Sequence, residues 1–360
     1  MKKPFLYFFI LLAASACSKK ADSPPPPAVP VTVEEVLQCN IPIYIDGIGN
    51  MVAYNTVNIQ SQVEGELMNI LFEDGKPLKK NDLMFVIDPR PYEAALNEAQ
   101  ANLAVNVANL KLAKITADRY ALLVNQDYVS RLDWDQYLTN VQVYEAAVKS
   151  NQAQVETAKI NLSYCYIRAP FDGVTGRHFI DQGNLIQNAG ATLVTFNQLD
   201  PIYVDFTIPE KDLAKALCYQ KEKSLDVEVQ VPDHPDKIFC GKLIVVENNV
   251  DKNTGMIVLR GLLENKNYEL WPGQFARVKL VLYREPEALL IPETALNMGQ
   301  KGYYVYVVKP DLTAEMRPVT IGQRMKDQVM VIKGVKAKEK VVTNGQLNVR
   351  SGSKVEIKNP

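Results

Sequence analysis

Two histidines, His178 and His234, are all the imidazole this 360-residue chain possesses, and neither lies at ligand spacing from a second donor. A lone histidine is ordinarily structural, so metal chemistry has no foothold there. Met51, Met68 and Met84 are scattered without a histidine partner, which leaves a soft-metal cluster unsupported. No GxSxG, HExxH or P-loop pattern occurs, and no Ser/His/Asp set has a plausible motif. Cys39, Cys165, Cys218 and Cys240 are far apart, form no CxxC, and read as small apolar residues, buried or partly so. The formal net charge of −1 lacks the basic excess that nucleic-acid binding requires. What remains is Cys17, preceded by Ala14-Ser15-Ala16. Its setting suits covalent modification, not catalysis. No cofactor and no enzymatic activity are expected.

The segment before Cys17 explains that setting. Lys2 and Lys3 are followed by an apolar run from Phe5 to Ala16, shorter than the roughly 20 residues a membrane-spanning helix needs. This is the pattern of a cleavable signal peptide over residues 1–16. The Ala-Ser-Ala-Cys ending resembles a bacterial lipobox, which implies an N-terminal lipid on Cys17. No later segment is apolar enough to span a membrane, so lipid alone is expected to anchor the chain. Residues 17–30 include four consecutive prolines, Pro24 to Pro27, and favour an extended polyproline II spacer.

From 91 to 162 the chain is rich in Ala, Asn, Gln, Leu and Val, without glycine and without proline after Pro91. Leu96, Leu103, Leu110, Ala117 and Val124 recur every seven residues, with Ala99, Asn106, Ala113 and Tyr120 three positions later. Trp134, Val141, Val148, Val155 and Leu162 repeat the arrangement, joined by Tyr137, Tyr144, Asn151 and Ala158. Such spacing predicts two antiparallel helices packed as a coiled coil. Asn125 to Ser130 interrupts the pattern, and Ser130 is placed to cap the second helix.

Short β-rich runs flank the hairpin on both sides. Gly65 and Gly75 before it, and Gly173 and Gly183 after it, share a spacing of ten, so two similar halves are expected to complete one small sandwich. The alternating runs from about Tyr203 to Tyr283 predict a β-barrel with one short helix near Pro209 to Leu217. The tail from Leu289 is again strand-rich, and the N-terminal strand at 31–48 is expected to pair with it. The fold class is therefore mainly β with a long α-helical hairpin, in an elongated multidomain chain.

Taken in order, Gln62-Val63-Glu64-Gly65 with Asp74-Gly75, Ile167 to Gly173, Leu199-Asp200-Pro201-Ile202, Val250 to Gly255, Trp271-Pro272-Gly273-Gln274 and Ile291-Pro292-Glu293-Thr294-Ala295 make the chain resemble the periplasmic adaptor, or membrane fusion protein, family of resistance-nodulation-division (RND) efflux pumps. The resemblance implies a membrane-proximal β domain (31–48 and 288–360), a β-barrel (49–56 and 203–287), a lipoyl-like split sandwich (57–90 and 163–202) and the coiled-coil hairpin (91–162). It also implies an adaptor in the periplasm of a Gram-negative bacterium, lipid-anchored at the inner membrane. There it would bridge an inner-membrane RND transporter to a trimeric outer-membrane channel for export of drugs or other small molecules. Copies would form a ring, usually of six, with Arg168 and Asp172 candidates for contact between them. The family's tip pattern R-x3-L-x6-S falls on Arg119, Leu123 and Ser130. That implies outer-channel docking: a guanidinium fork, an apolar knob and a small hydroxyl. An adaptor of an ABC-type efflux system is the nearest alternative. A lipoyl or biotin carrier is a more distant one, because the turn that would present a modified lysine is opened by the hairpin.

Overall fold

The structure, a computed structural model, describes residues 28–358. The expected signal peptide, Cys17 and the proline run through Pro27 lie outside the described residues. No helix among those described is long and apolar enough to cross a membrane. The described residues divide into two compact units, one formed by those up to 43 with those from 283 onward, the other by residues 44–282.

In the first unit, strand Val29–Glu35 pairs antiparallel with Lys340–Asn344 and parallel with Val355–Ile357. Strand Gly302–Val308 pairs with Asn297–Gly299, Ala314–Pro318 and Lys340–Asn344. Alternation sends Val305 and Val307 into one core with Ile291, Val331 and Val341, and sends Tyr306 and Val308 into a second with Val31 and Val342. Arg317 ties the strands at their edge, reaching Glu339 at 2.9 Å and Glu315 at 2.8 Å.

The second unit holds a barrel, a sandwich and the hairpin. Six strands close the barrel in the order Leu37–Gln60, Thr192–Pro209, Met256–Leu263, Phe239–Asp251, Asp226–Gln230 and Phe275–Pro292, the last pairing with the first. Ile202, Val204, Phe206 and Ile208 point inward and are buried, while Tyr203 and Asp205 face outward. Outside, Arg260 grips Asp205 through two contacts of 2.6 Å and lies over the Tyr203 ring at 4.9 Å. Helix α3 (Glu210–Glu222), by chain order the third, runs straight on from Pro209 and buries Ala216.

The sandwich is built by exchange. One sheet takes Gly65–Ile70 and Leu83–Ile87 from before the hairpin, and Tyr166–Arg168 and Leu185–Ile186 from after it. On the other side, Pro77–Leu78 pairs with Gly173–His178. The turns interlock reciprocally: Gly75 N–H donates to Thr175 O at 3.1 Å, and Gly183 N–H donates to Leu67 O at 2.8 Å. Each pair is the other displaced by 108 residues (67 to 175, 75 to 183). Gly75 and Gly183 have φ of 74° and 87°, which a side chain would resist, so the ten-residue glycine spacing marks equivalent left-handed turns. Neither half could enclose Leu67, Phe85, Ile87, Leu193 and Phe196 alone; together they bury all five completely.

Arg168 and Asp172 are both exposed on this module, each with one hydrogen bond inside it. Arg168 donates to Asn81 O at 3.0 Å, and Asp172 accepts from Lys80 N–H at 2.7 Å. The cysteine expectation is corrected. All four described cysteines are free, and Cys39, Cys218 and Cys240 are exposed. Cys39 sits in an exposed stretch of strand before Ile41, Cys218 on the solvent side of α3 beyond buried Ala216, and Cys240 at an exposed position near the start of strand Phe239–Asp251. Only Cys165 is buried, where loss of solvation and the nearby Asp88 and Glu93 carboxylates push its thiol up to about 11.

Candidate functional site

The hairpin leaves the sandwich through α1 (Arg90–Val124) and returns through α2 (Arg131–Ser163). Pro91 lies in the first turn of α1, where its missing N–H costs nothing. Every a and d position of the heptad pattern is half-buried or buried, with Ala117 and Val155 the most enclosed. Tyr120 and Tyr137 meet across the seam with ring centroids 4.2 Å apart, and Lys114 reaches Glu145 at 2.7 Å. The hydrogen bond that the Tyr137 hydroxyl donates to Tyr120 is the first cause holding it above its ordinary value.

Above this aromatic pair the seam runs out. The Trp134 indole Nε1 is buried with no hydrogen-bond partner among the described residues. Helix α1 ends at Val124, and Tyr128 N–H returns to Leu123 O at 3.1 Å. Asp127 takes a positive φ of 54° to reverse the chain. Ser130 then caps α2, its Oγ accepting from Leu132 N–H at 3.1 Å. The cap uses one lone pair, and the hydroxyl keeps a proton to donate.

Arg119, Leu123 and Ser130 are all exposed at this end. Arg119 and Leu123 are one helical turn apart and so share a face of α1. No ion pair among those found in the described residues involves Arg119, whose guanidinium is presented to solvent. The structure thus brings the three sequence-predicted residues to one tip. It adds others that the tip pattern omits: Leu122, Tyr128 and Leu132 are 68%, 75% and 77% exposed. The signal for these was in the heptad itself, since Leu122 and Leu132 occupy positions facing away from the seam, where polar residues are the rule. The tip can grip a partner with a charged fork and several apolar knobs. It has no nucleophile paired with a base, and the described residues contain no cluster of three metal-ligating groups.

Comparison with known proteins agrees with this architecture. Residues 95–165 match the RND MFP alpha-helical hairpin domain, 201–283 the RND MFP beta-barrel domain, and 287–347 the RND MFP C-terminal permuted SH3 domain. The multidrug resistance protein MdtA of Erwinia amylovora is 34% identical over 331 residues, covering 92% of this chain and 82% of its own. MdtA of Escherichia coli O7:K1 is 34% identical over 330 residues, covering 91% and 80%. Among solved structures, a MacA-MexA chimera carrying the Pseudomonas aeruginosa MexA hairpin has a TM-score of 0.56 at 26% identity, covering 86% of this chain and 99% of the chimera. MacA of Actinobacillus actinomycetemcomitans, with a TM-score of 0.58 at 23% identity over 86% of this chain and 99% of its own, shares the fold. With a split sandwich, a barrel and an exposed hairpin tip in that company, the chain belongs to the membrane fusion proteins of RND efflux pumps, the periplasmic adaptors of those tripartite systems.

Proposed function

We propose that this adaptor is held at the periplasmic face of the inner membrane by lipid on Cys17, forms a ring of copies, and docks its hairpin tip on a trimeric outer-membrane channel. Drugs or other small molecules would cross in the conduit so formed, with energy supplied by the transporter. The name of the MdtA relatives supports a drug cargo. The work of the chain is geometric: anchoring raises local concentration, the β modules grip the transporter, and the tip engages the channel.

The exposed Arg119–Leu123 face carries the docking reading. A guanidinium offers a planar fork to carbonyl or carboxylate acceptors, and no other cationic side chain reproduces it. Substituting Arg119→Glu is expected to lower drug resistance to that of cells lacking the adaptor, while export, expression and helicity stay unchanged. Wild-type resistance at equal expression would remove Arg119 from the docking site. Capture of the inner-membrane partner after mild crosslinking checks the other end of the bridge.

A further inference from the structure

Charge is unevenly divided between the two units. The described residues of the first hold 13 Lys and Arg against 10 Asp and Glu, a net of +3, whereas residues 44–282 hold 23 against 30, a net of −7. In the positive unit, the segment from Gly345 to Lys354 brackets the point where the described chain enters. Val29 N–H donates to Lys354 O at 3.0 Å. Gly345 takes a φ of 87°, and a Cβ on it would meet Pro30 O at 2.7 Å, so only glycine lets the segment lie this close to the entering strand.

On that seat the one-turn helix Gln346–Asn348 presents Leu347, which at 98% is the most exposed large apolar side chain among the described residues. The turn is held on both sides of it: Gln346 Nε2 donates to Thr294 O at 3.1 Å, and Val349 is buried in the core beside Val31 and Val355. Single apolar residues at a surface are common and by themselves mean little. This one is distinguished by its company. Arg350, Lys354 and Lys358 follow it, all exposed, and no ion pair found among the described residues involves them. Lys358 N–H donates to Val31 O at 2.9 Å, which keeps that cation beside the same entering strand. Glu356 is the one carboxylate between Gly345 and Lys358.

We propose that this turn rests on an anionic phospholipid surface, with Leu347 entering the headgroup layer and Arg350, Lys354 and Lys358 meeting the phosphates. Cys17, the residue that carries lipid in the proposed function, stands thirteen residues before Pro30 (17 to 30). That is no more than ~45 Å of chain even fully extended. The bilayer is therefore held close to the place where the chain enters this unit. A leucine among unpaired cations matches the apolar and the anionic layers of such a surface together. A tether alone limits distance and leaves orientation open; a second contact beside it fixes how the unit stands on the membrane. This goes beyond the lipid anchor of the proposed function and rests on it.

The test mixes the full-length lipoprotein, with a dansyl amino acid replacing Leu347, with vesicles of phosphatidylcholine alone or with added phosphatidylglycerol. The probe's emission is expected to move to the blue on the anionic vesicles only, and to be quenched there by brominated acyl chains. The same probe replacing Ile332, which is 54% exposed on a strand of this unit's other core, is expected to stay in water. Arg350→Gln combined with Lys354→Gln is expected to lower the ratio of inserted to free probe about twenty-fivefold, roughly fivefold for each cation removed. Unchanged circular dichroism keeps misfolding out of the comparison. A probe at 347 that stays in water on anionic lipid, an equal shift on neutral vesicles or at Ile332, or a double variant that matches its parent overturns the proposal. So does a shift that appears only on membranes carrying the transporter, because the contact is then with protein. The intact mass of the same preparation reports the acyl group on Cys17: its absence counts against the anchor, whereas a probe left in water on acylated protein counts against this contact alone.

Discussion

His178 joins the two halves of the lipoyl-like module, with Nδ1 2.8 Å from Asp74 of the first half and Nε2 3.3 Å from Asp181 of its own. The hydrogen bond to Asp74 is the largest influence on its pKa and raises it; desolvation opposes, and Asp181 adds a smaller push upward. The folded protein therefore favours the imidazolium. Its stabilising contribution is complete below the unfolded value of about 6.5 and is lost as pH climbs through the higher folded value. The pair is partly solvated, so its worth is at most about 1 kcal/mol, or a melting shift on the order of 2–4 °C. His178→Gln is expected to lower the melting temperature more at pH 6 than at pH 8. Equal losses at both would show that the charge contributes nothing. From sequence alone this residue was a lone histidine of structural kind. Its partner 104 residues away could not be read, because only the sandwich fold brings Asp74 to it.

Among elements, the hairpin was the most legible, because one periodicity specified both helices and the way they meet. The seam has one polar layer. Asn106 and Asn151 lie fourteen residues from the Tyr120–Tyr137 contact (120 to 106, 137 to 151), which sets them level in antiparallel arms. A polar pair at seam positions holds register at a cost in stability. Replacing both by leucine is expected to raise the temperature at which the helical signal at 222 nm is lost, while loosening register, seen as altered Lys114–Glu145 proximity in crosslinking. A lower melting temperature would mean the asparagines contribute stability beyond alignment. The exposed tip leucines Leu122 and Leu132 escaped the same reading because attention to one a/d series treats every other position as solvent-facing.

At the scale of the molecule, the turn glycines made a split module readable, but the exchange of strands between its halves was not. Pairing Gly65–Ile70 with Leu185–Ile186 spans the whole hairpin, and no local pattern encodes so distant a partner. That exchange makes a prediction about what the hairpin contributes to folding. Ile87 N–H donates to Cys165 O at 2.9 Å, so the chain leaves and re-enters the sandwich at adjacent points. Tyr92 and Tyr164 pack on its core, and Tyr92 Oη donates to Glu64 O at 2.8 Å, so the closure lies in the first turn of each arm. Beyond those turns the arms rest mainly on each other. Replacing residues 94–161 by about four Gly and Ser residues would bridge the 8–10 Å between packed helices. The shortened chain is expected to keep a cooperative β-sheet melt and to be retrieved with the inner-membrane transporter, while losing drug resistance. Loss of the sheet signal would show instead that the arms hold the two halves together. In that event the hairpin would be part of the module's own foundation, and the separation of gripping from docking would fail with it.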